Sequence, residues 1–598
     1  MHNAVLAAAV VALSGVVLFA RLRIGFVVVV ATTILIPASL QIRNPITPYA
    51  LFTRVLVVAL AIRLLFALRA GEVPRPAMRW TIVHTAFVVF LGGMFVAGVL
   101  LADPSVKPGP MEAAAVLLVD QFVFFVVVLA CVRAIGDLRW VLGVVGAVLL
   151  VSAGIGVIEH FTHGSWGHFL FGRQVSNVTA SSPLSARLDT VRVRAGAEYA
   201  LQYGWVTVML LPALLAWLGS TRMAVKRWIP LAILGVGVVL LAEYWSYART
   251  AFAAFGVIAL VTAFAARNKP LMWFTGAGLA LGIVLFILVS PLQHGFVGLP
   301  SGPVDVRTER LPIILQIGLY HPLHGIGLGG LASYGLPNTD STYLQLYGDG
   351  GIIGLIAGLA LLVTAAVSCV RGLRASDHID RLAAGAALAA SVAMLVGGVA
   401  YDALRSLGSA RPFWLLVACG IVAAERAAGP LPAIVRRPRW LLAGAVVGAE
   451  VVGLVVFALA PVHYAIQYQF QTVSVLREAL PSNPLIVGQT YLNTVCADVA
   501  GVKTLHADAR FDCRDLKETP GVGQLRVQAG SPDQVKTLVA DVSNAVNTSN
   551  YIDFSLAPQT SLRSGRDTGL AWAPFWLPVG TLLALVLLPV GRRPRQGA

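Results

Sequence analysis

Asp340 and a set of arginines, Arg192, Arg194, Arg249, Arg307 and Arg310, are the residues of this chain whose types and spacing could do chemistry. Arg307 and Arg310 stand in "DVRTERLPIILQIGLYHPLHGIGLGG" (305–330), three apart and so on one face of a helix. Arg249 opens an apolar run in "YWSYARTAFAAF", and Arg192 and Arg194 precede another in "VRVRAGAEYALQYG". Asp340 lies with Ser341, Thr342 and Tyr343 in "SYGLPNTDSTYLQLYGDGGIIGLIAG" (333–358), where a polar, glycine-broken loop runs into an apolar helix. A guanidinium is a planar fork that holds phosphate oxygens in pairs and stays charged at any relevant pH. Several of them can neutralise a leaving pyrophosphate. A carboxylate beside them can take a proton from a hydroxyl, help worth about 10²–10⁴-fold. Together these parts describe transfer of a glycan from a lipid pyrophosphate to a hydroxyl acceptor.

The elements that must carry these residues are membrane helices. Of 598 residues, 57% are hydrophobic and 12% charged, against about 25% charged in soluble domains. Apolar runs near 4–20, 24–41, 50–68, 80–102, 111–132, 139–157, 199–218, 228–244, 249–266, 271–290, 343–369, 382–401, 412–425, 440–461 and 572–591 predict about fifteen crossings. The net charge of +16 sits in short alternate loops such as "RAGEVPRPAMR" (69–79), "RAIGDLR" (133–139) and "RGLRASDHIDR" (371–381). That distribution marks cytoplasmic loops and not a nucleic-acid surface, and it predicts an external N-terminus and a cytoplasmic C-terminus. Met1–Asn3 lacks a basic leader, so the first span is expected to stay in the mature protein. Three external segments, 158–198, 291–342 and 462–571, are too long to be connectors. The last reads as a small α/β domain between the final two spans. Cys496 and Cys513 fall in it and are expected to pair in an oxidising compartment. Cys and His show no metal-ligand spacing, and there is no phosphate-binding glycine loop or serine nucleophile elbow.

Each candidate also has a plainer role. Arg249 could anchor a headgroup, Arg307 and Arg310 could open a salt-bridged helix with Glu309, and Asp340 could cap the helix after it. His321 and His324 flank a Pro–Gly turn and could be structural or touch substrate. The functional reading rests on the coincidence of side, depth and chemistry.

"HPLHGIGLGG…DSTYLQLYGDGGIIGLIAGL" resembles the signature of the O-antigen polymerase and ligase superfamily (Wzy and WaaL types), a turn, a polar loop and a glycine-containing helix. "YARTAF" is similar to that family's "SRTA" span start, and the likeness covers roughly residues 1–430. The resemblance implies an all-α polytopic membrane fold of the C-type glycosyltransferase class and an inverting reaction without metal or cofactor. It implies a polyprenyl-pyrophosphate-linked oligosaccharide donor and acceptor in the lipid bilayer of the bacterial inner membrane, with the site on the periplasmic side. By motif, phosphate-binding arginines map to Arg249, to Arg307 or Arg310, and less directly to Arg194, with Arg192, Tyr343, Ser341, His321 and His324 near the substrate. Ligases carry His where this chain has Asp340 and Asn where it has Ser341; Asp there favours a polymerase. Residues 440–591 resemble a chain-length determinant (Wzz-type) unit, two spans around external domain 462–571, with "SPDQVKTLVADVSNAVN" as a helix. The expected partners are a flippase, export machinery and further copies of the chain, with no nucleic acid. The rivals are a ligase acting on a lipid, wall or protein acceptor, a transporter of lipid-linked sugars, for which Asp120, Gln121 and Glu243 trace no path, and a regulatory scaffold.

Overall fold

The structure is a computed structural model. It describes, with short gaps, residues 2–37, 52–97, 116–162, 166, 186–220, 229–277, 311–331, 341–428, 462–471, 510–515, 522–529, 531–548, 556–558 and 563–566. The chain divides into two compact units, Met1–Val446 with Val579–Ala598, and Val447–Pro578.

The described part of the first unit is helical apart from a two-residue hairpin, β1 (Ala186–Arg187) with β2 (Thr190–Val191). Its helices are α1 (His2–Phe19), α2 (Leu22–Leu35), α3 (Phe52–Arg69), α4 (Ile82–Phe95), α5 (Phe124–Ile135), α6 (Leu138–Thr162), α7 (Ala200–Ser220), α8 (Ile229–Ser246), α9 (Arg249–Ala265), α10 (Thr342–Val370), α11 (His378–Ala400) and α12 (Leu407–Ala428). Four of these are long and apolar enough to cross a membrane: α6, α7, α10 with its 3₁₀ extension to Arg374, and α11. The expected spans at 271–290, 440–461 and 572–591 lie wholly or mostly outside the described residues. The run expected to cross from 111 begins, where described, as a π-helical turn over Val116–Val123 that feeds α5.

Small residues set the packing. α11 lies against α7, α9, α10 and α12, and its Ala383, Ala386, Ala387, Ala390 and Ala393 are fully buried. A Cβ on Gly420 of α12 would come within 2.4 Å of the Ala387 Cβ. Such close approach is how helices gain contact in lipid, where burial of apolar surface gives no drive.

The helices alternate, so the bundle has two ends. At one, the C-terminal ends of α2, α6, α8 and α11 meet the N-terminal ends of α3, α7, α10 and α12: the Trp166 indole donates to Leu35 O at 3.2 Å, Val193 N to Trp245 O at 3.2 Å, and the Gln202 amide to the Ser406 hydroxyl at 2.7 Å. Long connections run here, and we name it the loop end. The other, basic end joins Arg133 to Glu425, Arg426 to Asp380, and His378 to Gly219 O.

The second unit holds a five-stranded antiparallel sheet of β3 (Val462–Gln471), β4 (Arg510–Asp515), β5 (Val522–Ala529), β6 (Leu556–Pro558) and β7 (Arg563–Arg566). Its order is β4-β5-β3, with β6 and β7 both pairing along the free edge of β3. The helix α13 (Pro532–Thr548) follows β5 and packs on it. Pro532 takes the first helical position, and the Ser531 hydroxyl accepts from Gln534 N at 3.2 Å. Val535, Leu538 and Val542, three and four apart, form its buried face. Cys513 lies in β4, whereas Cys496, and with it the expected disulfide, falls outside the described residues.

Candidate functional site

The start of α10 builds the loop end. Ser341 is extended and is the helix's N-cap, its hydroxyl accepting from Leu344 N at 3.5 Å. The cap position is therefore Ser341 and not Asp340, which stands one residue outside it. The Ser341 hydroxyl also donates to Gly398 O at 3.0 Å. Thr342, 1% exposed, donates to Tyr401 O at 3.2 Å and accepts from Leu404 N at 3.3 Å. The Tyr343 hydroxyl donates to Leu395 O. Three consecutive hydroxyls thus staple the start of α10 to carbonyls at the end of α11. This accounts for the three hydroxyls before an apolar run: they serve backbone groups that a helix end leaves without partners.

Downstream, α10 breaks at Gly351, where φ is +60° and ψ −155°. The turn "HPLHGIG" fills the break. Ile326 N donates to Gly348 O at 2.9 Å and Gly327 N to Asp349 O at 3.1 Å, while Ile352 N and Ile353 N donate to Pro322 O and Leu323 O at 2.9 and 3.3 Å. Backbone groups freed by the break are met by the loop in both directions, so none of the four is left without a partner. Two glycines make the clasp possible. A Cβ on Gly351 would lie 2.4 Å from Leu323 C, and one on Gly325 (φ +65°) would lie 2.5 Å from Gly348 O. His321 and His324 stand at this turn, ring centroids 5.5 Å apart, and His324 Nδ1 is buried without a hydrogen bond among the described residues. Ile314, from the expected amphipathic segment, packs with Ile326 and Leu331.

Beside the clasp is a cavity of about 20 Å³, room for a single water. It is lined by Thr342, Gln345, Asp349, Asp402 and apolar neighbours. The Gln345 amide donates to Asp349 Oδ2 at 3.0 Å.

The arginines divide. The Arg192 guanidinium donates to Ser246 O at 2.9 Å and Tyr247 O at 3.5 Å, so it seals the end of α8. Arg194 lies beside Glu159, whose carboxylate accepts from Trp166 N at 2.6 Å, Arg194 N at 2.9 Å and Ala195 N at 2.7 Å. Burial pulls the Arg194 guanidinium below the usual arginine range, and the Glu159 charge opposes that shift. Ala195 next to it holds φ +44°, a conformation costly for any residue with a Cβ. Arg249 is the first residue of α9, two positions after Tyr247 at φ +53°. Arg307, Arg310 and Asp340 lie outside the described residues.

The structure adds a group that the sequence reading did not assemble. Arg54 on α3 grips Asp120 in a bidentate pair, Nε donating to Oδ1 at 2.9 Å and Nη2 to Oδ2. Arg411 on α12 donates to the same Oδ1 at 2.8 Å and also reaches Thr53. All three are buried, at 8%, 1% and 1% exposure for Arg54, Asp120 and Arg411. Asp120 sits in the π-helical turn, a distortion frequent at functional sites. Its neighbour Gln121 donates to Leu404 O, tying the triad to the turn that Thr342 holds. The available signal was an ionisable residue inside each of two apolar runs, Arg54 and Asp120, with Arg411 at the edge of a third.

No family model matches the chain, and no curated protein matches it.

Proposed function

We propose that the chain is a polysaccharide polymerase of the membrane glycosyltransferase kind, acting at the loop end on the outer face of a bacterial cytoplasmic membrane. The acceptor sugar's hydroxyl oxygen attacks the anomeric carbon of the donor and forms the new C–O bond from the opposite face. Its proton passes to the Asp340 carboxylate. The bond from the anomeric carbon to the pyrophosphate oxygen breaks, and the electron pair leaves with the lipid pyrophosphate. Arg249, with Arg307 or Arg310, neutralises that leaving charge, and Arg194 assists; no metal or cofactor takes part. Donor and acceptor are polyprenyl-pyrophosphate-linked oligosaccharides. The second unit acts as a chain-length regulator fused to the polymerase.

One observation carries the reading. In "DSTY" the three hydroxyls serve the α10–α11 staple and Ser341 takes the N-cap, so the capping role that competed for Asp340 is already filled. A carboxylate one residue before a helix start held by three hydroxyl bonds suits a general base. The histidine at the equivalent ligase position is replaced here by Asp340, which supports polymerisation over ligation.

The test is a gel of surface glycan from cells carrying wild type, Asp340→Asn, Arg249→Lys or a deletion, with protein level checked by blot. A ladder from wild type and single repeats from Asp340→Asn at equal expression support the polymerase. Arg249→Lys keeps the charge and loses the fork, so it is expected to shorten or abolish the ladder. Polymer of normal length left on its carrier lipid in the mutants would point to a ligase, and unchanged ladders would remove both residues from the site.

A further inference from the structure

Glu159 and Glu243 occupy equivalent places near the loop-end termini of α6 and α8, and both are buried. Glu159 takes three backbone N–H donors. Glu243, 0% exposed, takes none: among the described residues neither carboxylate oxygen has a hydrogen bond, and none of the described ion pairs includes it. The Tyr203 and Thr207 hydroxyls on α7 are likewise buried, with no hydrogen-bond partner outside this group among the described residues. They lie one helical turn apart, on one face, and Thr207 lies beside both Tyr203 and Glu243. Gly204 lets the helices close on this point. A Cβ there would sit 2.8 Å from Glu243 Oε1 and 2.7 Å from the Ala248 Cβ.

Four side-chain oxygens from two helices therefore meet in the interior, with Thr207 within reach of both the Tyr203 hydroxyl and the Glu243 carboxylate and, among the described residues, no cation paired with that carboxylate. A bare buried carboxylate costs several kcal/mol, and such groups are found paired or holding a cation. The donors are all hard oxygens, which suit alkali and alkaline-earth ions and not soft metals. One carboxylate balances one positive charge, whereas a divalent ion would leave an excess and requires more oxygens.

We propose that Glu243, Thr207 and Tyr203 form a binding site for one monovalent alkali cation of the sodium class, buried between α7 and α8. The site lies directly under the link to Arg249. The Ser246 hydroxyl donates to Glu243 O at 2.7 Å and accepts from Ala248 N at 3.1 Å. The ion fixes the end of α8 and, through it, the Ser246–Arg249 link that Arg192 seals from the other side.

The test uses the purified full chain in lipid nanodiscs and does not depend on glycan transfer. Thermal unfolding is followed in sodium, potassium or choline chloride at constant ionic strength, and binding of radioactive sodium is counted. Sodium is expected to raise Tm saturably by several degrees over choline, with one ion bound per chain. Glu243→Gln should abolish that rise, and Thr207→Val, which spares the carboxylate should Glu243→Gln not fold, should weaken sodium affinity about tenfold, or 1.4 kcal/mol. Identical Tm values in the three salts with no bound sodium would overturn the site. So would a sodium effect unchanged in both variants, or a response to pH alone, which would make the occupant a proton.

Discussion

The two ends of the helical bundle use the same residue types under opposite conditions. At the basic end, Arg133 and Glu425 are mostly withdrawn from water, but the other pairs are partly open: Arg63 pairs with Glu72, whose side chain is 53% exposed, and Arg426 pairs with Asp380 while itself 35% exposed. These pairs lie in or beside short connections, where water and salt share the charge and a single pair contributes little. At the loop end, Arg54, Asp120 and Arg411 are withdrawn from water and satisfied by one another. There the desolvation cost is large, and one carboxylate hydrogen-bonded to both guanidiniums offsets it. Basic loops of the first kind orient a membrane protein; buried polar groups of the second kind are kept at sites where something is bound or moved.

That contrast can be broken by substitution, and the largest effect is expected at the clasp. Gly351→Ala forces a Cβ to 2.4 Å from the Leu323 backbone at φ +60°, and a loss above about 4 kcal/mol is expected, seen as absence of a monodisperse protein on size exclusion. Gly154→Ala, with no atom within 4 Å of the added Cβ, should leave the elution profile and Tm unchanged or slightly raised. Next, Asp120→Asn removes the negative charge that two buried arginines share and should cost about 3–5 kcal/mol, read as a fall in Tm. Smaller again, Thr342→Val leaves the Leu404 N–H unmet and takes one of two donors from the Tyr401 carbonyl, at about 1–3 kcal/mol, whereas Thr342→Ser should recover most of the loss. The smallest change is expected from Glu72→Gln at the basic end, under about 1 kcal/mol and shrinking with added salt. If Glu72→Gln lowered Tm as much as Asp120→Asn, the distinction between the ends would fail.

Much of the site's local grammar is readable along the chain. Gly and Pro in "HPLHGIG" mark a turn, Asp, Ser and Thr before an apolar run mark a helix start, and "SPDQVKTLVADVSNAVN" carries both a start signal and a buried stripe. What such signals leave open is the choice between equivalent neighbours. Either Asp340 or Ser341 could cap α10, and backbone geometry selects Ser341. Either of Arg192 and Arg194 could face a substrate, and the fold commits the Arg192 side chain to the end of α8.

The sequence by itself determined that the chain is rich in apolar helices long enough to cross lipid and that Arg and Lys gather in the short loops between its apolar runs. These follow from hydropathy and charge, which are local properties read in windows of a few turns. Only the tertiary structure decided which polar groups meet. Asp120 is 66 residues from Arg54 and 291 from Arg411, Thr342 is 59 from Tyr401, and Glu243 differs from Glu159 solely in what surrounds it. Inside a membrane a polar group must find its partner within the protein, and which helices become neighbours is set by the fit of small residues across the whole bundle.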